Sequence, residues 1–271
     1  MLCGRLTCEA ASTFRIPRRD GWRKNTRRLV HVAGASSSPT AKIETPAELR
    51  IAPWTATPDQ LKALETLNKR LQNSSYSLEQ ETVQWFLRDR QYDPVEAEEK
   101  LLKMAQWKQE IDLDNLSPEG FSEELARGKV RLHDYKDVLG RPVIILDASK
   151  HFIGEFPVSS TQKLCAYAVR EAMDQLNTEV ETFITVYDLR NFRTANADLQ
   201  FIKYMIDLFF VYNPKRLGQS LLVDAPWVFQ PVWQITKPLL RKYAKLVRFV
   251  SASQLREEYF TENTVPREFK L

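Results

Sequence analysis

The sequence predicts an α/β protein in which a small helical unit precedes a mostly parallel sheet covered by helices. Apolar residues recur at helical spacing from residue 57 to 113. From residue 130 onward, short apolar runs alternate with helical stretches, which is the order of βαβ units. The chain has 271 residues, ample for a hydrophobic core. We therefore predict a leader at 1–50, a helical unit at 54–113 and an α/β domain at 118–271.

The leader differs from the rest of the chain in composition. Residues 1–42 hold nine Lys and Arg against two acidic residues, so the remainder is net negative although the whole chain carries +4. The leader contains Arg and Ser and lacks a long apolar run, which argues against a secretory signal. We predict a plastid transit peptide with a disordered linker, cleaved near Ala33. A mitochondrial presequence and a basic tail of a cytosolic protein are the alternatives.

This composition also bears on location and partners. The expected location is the chloroplast, in the stroma or at the envelope or thylakoid surface, with the mitochondrion as the alternative. Because the positive charge is confined to the leader, no nucleic-acid partner is expected. Cys165 is the single cysteine outside the leader, which excludes a disulfide scaffold. The apolar runs are shorter than the roughly 20 residues of a membrane span, so we expect a monomer with peripheral membrane contact.

The predicted helical unit is defined by periodicity and by helix-start signals. Leucines recur at helical spacing between residues 61 and 71. Ser77 and Gln80 form a capping-box pattern before the next helix. Asp93 followed by Pro94 is a helix cap with proline in the first helical position.

The predicted α/β domain begins with two strands joined through a turn at residues 137–140. Helical crossovers between parallel strands should be right-handed and lie against the sheet. Before residue 212, the predicted elements are strands at 130–132, 143–146 and 183–189 and helices at 160–176 and 197–212.

The stretch from residue 212 to 250 is predicted to contain a helix end, a strand, a helix and a second strand. Asn213 ends the first helix because the following Pro214 disfavours α geometry. The run Leu221, Leu222 and Val223 is typical of a strand buried on both faces.

The helix predicted after this strand is unusually apolar. It opens at Pro226, where proline is tolerated, whereas Pro231 and Pro238 should interrupt it at a cost of about 3 kcal/mol for an interior proline. Its apolar side chains are Trp227, Val228, Phe229, Val232, Trp233 and Ile235. A bent helix that is apolar on most sides predicts a movable cover over an apolar cavity.

Catalytic motifs are missing from the sequence. The eight glycines include no GxG pair, and no HExxH, GxSxG or CxxC occurs. His31, His133 and His151 are scattered, and His133 is expected on the exposed side of a strand. Asp147 and Asp188 follow apolar runs and are expected to fix loops rather than to catalyse. We therefore predict a protein that is not an enzyme, with no catalytic residue, metal or cofactor.

Four motifs in order resemble one known family. They are WFLRDRQYDPVEAEEKLLKMAQWKQE at 85–110, LGRPVIILDASK at 139–150, FITVYDLRNF at 183–192 and YNPKRLGQSLLVDAPWVFQPVWQITKPLL at 212–240. The chain is similar to the Sec14-like, or CRAL-TRIO, lipid-binding domains, and most similar to their plastid-targeted members. This resemblance implies a sheet-and-helix domain that encloses a hydrophobic lipid pocket, with the last of these segments as its gate.

The resemblance also implies site residues. Cations expected at a lipid head group are Arg90, Lys215, Lys242 and Lys245. Residues expected at the pocket and gate are Phe209, Tyr212, Trp227, Phe229, Trp233 and Leu239.

The expected function is binding and intermembrane transfer, or presentation, of a hydrophobic ligand. Anionic phospholipids, phosphatidic acid or a phosphoinositide, are favoured, in plastid membrane lipid traffic. Members of the family that transfer phosphatidylinositol carry Lys, Glu and Lys where this chain has Gln91, Lys215 and Lys245, which disfavours phosphatidylinositol. The alternatives are a carrier of a tocopherol or carotenoid and a protein-interaction module without a ligand.

Overall fold

The structure is a computed structural model that describes residues 42–271. Residues 1–41 of the predicted leader, with the cleavage site near Ala33, lie outside the described residues. Residues 42–50, predicted to belong to a disordered linker, are ordered and packed against the α/β part. The predicted domain bounds remain predictions.

The first three helices form the helical unit. They are α1 at Pro58–Leu71, α2 at Gln80–Asp89 and α3 at Pro94–Glu110. Their apolar faces share a core that includes Leu67, Val83, Phe86, Leu87, Ala97 and Leu101. Leu64, Leu67 and Leu71 therefore face this core, as periodicity predicts, whereas Leu61 is exposed.

Two predicted helix starts have different outcomes. The side chain of Asp93 accepts hydrogen bonds from the backbone N–H groups of Val95 and Glu96, which confirms the predicted cap of α3. The predicted capping box of α2 is wrong. The N-cap of α2 is Glu79, without a side-chain bond, because the helix starts at Gln80 itself rather than after Ser77.

The α/β part contains a mostly parallel sheet, as predicted. Within residues 42–271 its strands are β1 Val130–Leu132, β2 Val143–Asp147, β3 Phe183–Asp188, β4 Leu217–Val223 and β5 Val247–Val250. They lie side by side in chain order. β1 is antiparallel to β2, and the other neighbouring pairs are parallel.

Helices cover both faces of this sheet. They are α4 at Ser122–Ala126, α5 at Val158–Met173, α6 at Leu199–Asp207, α7 at Gln230–Leu240 and α8 at Ala252–Tyr259. On β2, Ile144 and Leu146 join the core beneath α5 and α6, whereas Val143 and Ile145 join the core beneath α8. Because successive side chains point to opposite faces, a strand buried on both sides is apolar throughout.

The helix predicted at 197–212 is interrupted. α6 ends at Asp207, and a π-helical turn, Leu208–Tyr212, follows it directly. A reverse turn follows, in which the N–H of Arg216 donates to the carbonyl of Asn213 at 3.2 Å. Pro214 precedes Lys215, whose φ is +60°, which is the geometry of a type II turn.

The predicted covering helix differs from the observed one in its first turn. A 3₁₀ turn, Trp227–Phe229, precedes α7. Pro231 lies in the first turn of α7, where its missing N–H leaves no bond unmade, so the prediction that it interrupts the helix is wrong. Pro238 lies inside α7.

His133 is buried, so its predicted exposure is wrong. Its Nε2 lies 2.8 Å from the carbonyl oxygen of Thr264, and the Phe260 ring packs edge-on at 5.8 Å. The C-terminal segment thus covers the residue. Asp147 and Asp188 accept hydrogen bonds from backbone N–H groups two residues later, which is the loop-fixing role that the sequence favours.

The first described residues run across the α/β part. We call residues 42–50 the strap. Ile43 and Leu49 of the strap are buried in the two cores on either side of the sheet. The side chain of Thr45 donates to the carbonyl of Gly218 on β4. Among residues 42–271, no helix combines the length and apolar character that crossing a bilayer requires.

Candidate functional site

A cavity lies between one face of the sheet and helices α6 and α7. It contains about 1030 Å³ of empty space, part of it open to solvent. Apolar lining residues include Leu146, Phe201, Met205, Phe209, Leu222 and Phe229. About 140 Å³ of this space can hold the centre of a water-sized sphere. The cavity therefore offers an apolar site for a hydrophobic ligand.

Three predicted pocket residues line this cavity. Phe209 comes from the π-helical turn, Phe229 from the 3₁₀ turn before α7, and Trp233 from α7 itself. The neighbouring Phe210 also lines the cavity and stacks on Tyr243 at 4.1 Å between ring centroids. π-Helical turns are rare and recur at functional sites, and this one turns two aromatic rings towards the cavity.

The other three predicted pocket residues lie elsewhere. Tyr212 stacks on Trp107 of α3, with ring centroids 4.3 Å apart. Trp227 is 84% exposed and Leu239 is 41% exposed. Together with Ile235, which is also exposed, they give the covering segment an apolar outer surface. α7 and its leading turn thus present apolar side chains on both sides.

One end of the cavity is polar. Lys129, His151 and Asp198 line it, near the carboxyl end of β2, and we call them, with Glu124, the inner polar end. The Lys129 ammonium contacts the Glu124 carboxylate and lies 3.4 Å from His151 Nδ1. His151 Nε2 lies 3.1 Å from Asp198 Oδ2.

These contacts define the state of His151. An ammonium can only donate, so Nδ1 accepts from Lys129 and Nε2 carries the proton given to Asp198. Burial, and next the positive charge of Lys129, lower the pKa of His151, while Asp198 opposes them. His151 is therefore neutral at pH 7.

A second polar group lies outside the cavity lining. Arg90, Lys100 and Lys215 lie near Asp89, and Lys242 lies near Lys100 and Lys215; we call these four cations the cationic cluster. Asp89 Oδ2 accepts from Lys100 Nζ at 2.7 Å and from Arg90 Nε at 3.0 Å. The Asp89 side chain is 1% exposed.

The charges of this cluster act on one another. Burial lowers the pKa of Lys100 to about 8, with Arg90 and Lys242 adding to the shift and Asp89 opposing it. Burial likewise lowers the pKa of Lys215, where Lys242 and Arg90 add and Asp89 opposes. Arg90 and Lys215, two of the four predicted head-group cations, therefore lie within electrostatic reach of Asp89, and Lys242 lies within reach of Lys100 and Lys215.

Sequence reasoning missed Asp89 and Lys100. The available signal was an acidic residue between Arg88 and Arg90, within the first of the four motifs. Lys100 lies on α3 without any motif to mark it, and only the packing of α2 against α3 brings it to Asp89.

The fourth predicted head-group cation contacts the strap. Lys245 Nζ lies 2.7 Å from a carboxylate oxygen of Glu48, and both side chains are more than half exposed. The strap also contacts the cationic cluster, because Lys215 Nζ donates to the carbonyl of Arg50 at 2.7 Å.

The family model of the CRAL/TRIO domain matches residues 125–270. The chain belongs to the CRAL-TRIO family. Proteins of this Sec14-like family bind and transfer lipids and are generally not enzymes. The match covers the sheet, the cavity and α7, and so confirms the family that the four motifs indicate.

Relatives of this CRAL-TRIO chain include fungal proteins. A CRAL-TRIO domain-containing protein of Schizosaccharomyces pombe is 28% identical over 194 residues, which are 68% of this chain and 44% of the relative. A phosphatidylinositol transfer protein of Eremothecium gossypii is 26% identical over 150 residues, 55% of this chain and 34% of the relative. The chain thus spans less than half the length of these two relatives.

A third relative and a solved structure match more of their own length. A SEC14 cytosolic factor of Eremothecium gossypii is 24% identical over 225 residues, 76% of this chain and 73% of the relative. The crystal structure of Sfh5 is similar with a TM-score of 0.59 at 13% identity, covering 75% of this chain and 84% of that one. The structural likeness confirms the predicted fold class.

Proposed function

We propose that this CRAL-TRIO protein binds one anionic phospholipid, phosphatidic acid or a phosphoinositide, and transfers it between membranes or presents it there. The observation that carries the proposal is the apolar cavity under α7, with a cluster of cations beside it. The protein acts without a catalytic residue, metal or cofactor.

The cavity supplies the driving force for holding acyl chains. Each CH₂ group moved out of water contributes about 0.8 kcal/mol. Spontaneous departure of a lipid from a bilayer is slow for the same reason, so an apolar cavity at the bilayer surface accelerates exchange. Phe209, Phe229 and Trp233 would contact the chains.

The cationic cluster supplies the head-group site. Arg90, Lys215 and Lys242 would contact the phosphate, since their side chains offer hydrogen-bond donors and positive charge. Tyr243 links the two regions, because its ring stacks on Phe210 at the cavity and its pKa, raised mainly by burial, also responds to Asp89 and Arg90.

The covering segment supplies the membrane contact. Trp227, Ile235 and Leu239 are exposed on its outer side, and tryptophan is enriched where proteins meet the bilayer interface. An apolar outer face allows α7 to move into the interface as the cavity opens. The contact is peripheral, and the protein acts as a monomer.

We place this activity in plastid membranes because the positive charge of the chain is concentrated in its first 42 residues. Import of the full chain into isolated chloroplasts, with shortening near Ala33, is the expected result. Import by mitochondria alone, or an uncleaved protein in the cytosol, would contradict this location.

Vesicle assays test the binding proposal. Purified protein should move labelled phosphatidic acid or phosphatidylinositol from donor to acceptor vesicles faster than the lipid moves alone. A Trp227→Asp variant should lose vesicle association because it places a charge on the membrane-facing side. Transfer of tocopherol or carotenoid without phospholipid would replace the proposed ligand, and an absence of any lipid transfer would favour a protein-interaction module.

A further inference from the structure

Asp89 is buried with only one of its two carboxylate oxygens satisfied. Oδ2 accepts from Lys100 and Arg90, whereas Oδ1 is fully buried without a hydrogen-bond partner among residues 42–271. A buried carboxylate oxygen that makes no hydrogen bond is costly, and such groups are rare in native proteins. The contacts within the described chain therefore leave an unmet acceptor at the centre of the cationic cluster.

The surroundings of Asp89 define what can meet this acceptor. Arg90, Lys100, Lys215 and Lys242 can only donate hydrogen bonds, and the ionised oxygens of a phosphate diester can only accept them. The cations therefore suit a phosphate, while Asp89 Oδ1 requires a donor. A head group that satisfies both must carry a hydrogen-bond donor close to its phosphate, and the hydroxyls of glycerol and inositol head groups are such donors.

The Asp89 carboxylate is held in place by two cations. Lys100, 11% exposed, reaches it from α3, and Arg90, 30% exposed, reaches it from the end of α2. Both donors bind the same oxygen and hold the carboxylate in place. Because Oδ1 is enclosed, a head group reaches it only when neighbouring side chains move.

We propose that Asp89 is the specificity-determining residue of the head-group site: it accepts a hydrogen bond from a hydroxyl of a glycerol or inositol head group whose phosphate is held by the cations around it. This inference rests on the proposed function. It predicts that lipids with a hydroxylated head group are preferred to phosphatidic acid, whose phosphate carries no such alcohol. This preference is the reverse of the one that Lys215 suggests when it is considered alone, which is phosphatidic acid over phosphatidylinositol.

The test measures transfer of phosphatidylinositol, phosphatidylglycerol and phosphatidic acid by the full chain between phosphatidylcholine vesicles. Wild type should transfer the two hydroxylated lipids about tenfold faster than phosphatidic acid, the ratio expected for one hydrogen bond to a charged group. Asp89→Asn should remove this preference while phosphatidic acid transfer stays constant or rises. Glu96→Gln is the matched control, because Glu96 is an exposed carboxylate 3.7 Å from Arg90, and it should keep the wild-type order.

A purely structural role for Asp89 gives different results. Should Asp89→Asn fail to fold, the double variant Asp89→Asn with Lys100→Gln replaces the ion pair by neutral amides and provides the same comparison. A folded variant that keeps the preference for hydroxylated lipids overturns the inference, and so does one whose transfer of all three lipids falls equally. So does a wild type that prefers phosphatidic acid. Wild type that transfers none of the three lipids contradicts the proposed function itself.

Discussion

The inner polar end and the cationic cluster contain the same kinds of residues but differ in how their hydrogen bonds are satisfied. In the inner polar end, the Glu124 carboxylate accepts from Lys129, Ser160 and Thr161. In the cationic cluster, cations outnumber acids, and Asp89 Oδ1 has no hydrogen-bond partner among the described residues. The first group is closed, and the second leaves capacity for a ligand.

This difference indicates what each region does. A buried ion pair that is fully hydrogen-bonded keeps a fixed geometry, and removing one member leaves an uncompensated charge. The inner polar end therefore fixes the far wall of the cavity. The cationic cluster carries a net positive charge, which is the property of a site that binds an anion.

The largest expected effect is on stability, when the buried ion pair between Lys129 and Glu124 is broken. Lys129→Met leaves Glu124 buried without its cation and should lower the free energy of unfolding by about 3–5 kcal/mol. Urea denaturation measures the change. The control is Lys150→Met, because Lys150 is half exposed and 3.4 Å from Asp147, and it should cost less than about 1 kcal/mol. Similar values for the two variants would show that the inner polar end is not a closed structural unit.

The next prediction concerns the apolar lining of the cavity. Trp233→Asp places a charge against an apolar lining and should lower lipid occupancy at least tenfold, since an unpaired charge in such a site is heavily penalised. Mass spectrometry of lipid extracted from the purified variant measures occupancy. Leu61→Asp is the control, because Leu61 is exposed on α1 outside the cavity lining, and this variant should retain wild-type lipid occupancy. Wild-type occupancy in a folded Trp233→Asp variant would contradict the assignment of this wall.

A third prediction concerns the charge of the cationic cluster. The pKa of Lys100 is lowered from 10.5 to about 8, so between these values the unfolded chain binds more protons than the folded one. Stability should therefore rise with pH, by about 1 to 2 kcal/mol between pH 7.5 and 9.5. Denaturation of wild type and Lys100→Gln at both pH values tests this, and the variant should show a smaller rise. Equal rises would show that Lys100 is not the group responsible.

The smallest expected effect concerns the strap. Glu48→Gln releases Lys245 from an exposed ion pair, so the free energy of unfolding should be almost unchanged. Binding to anionic vesicles at low salt should strengthen by up to about fivefold, since one cation near such a surface is worth about 1 kcal/mol. Glu44→Gln removes an exposed carboxylate that pairs with Arg50 on the same strap and serves as the control. Equal gains from both variants would indicate a general charge effect.

Much of the fold was predictable because local signals decide it. The run at 143–146 is apolar on both faces of β2, and the Asp93 side chain caps α3, so periodicity and cap chemistry were sufficient. The burial of His133 was not predictable, because a segment more than a hundred residues later covers it. The π-helical turn at 208–212 likewise has no local sequence signal.

The candidate site was only partly predictable for a related reason. Motif positions led to Arg90, Lys215 and Lys245, and the basic run after the covering helix led to Lys242. Aromatic residues in the apolar segments led to Phe229 and Trp233. Judging the head-group site from position 215 alone overlooked Asp89, because its role depends on a neighbour from another helix. The motifs also could not separate residues on the inner and outer sides of the cover, as the exposure of Trp227 illustrates.

The central claim is that the cavity holds one anionic phospholipid. Mass spectrometry of the purified protein, first intact under native conditions and then after lipid extraction, tests it most directly. We predict one phospholipid per chain, with an anionic head group, absent from Trp233→Asp. A chain that carries no lipid, or carries a neutral isoprenoid in place of a phospholipid, would contradict the account.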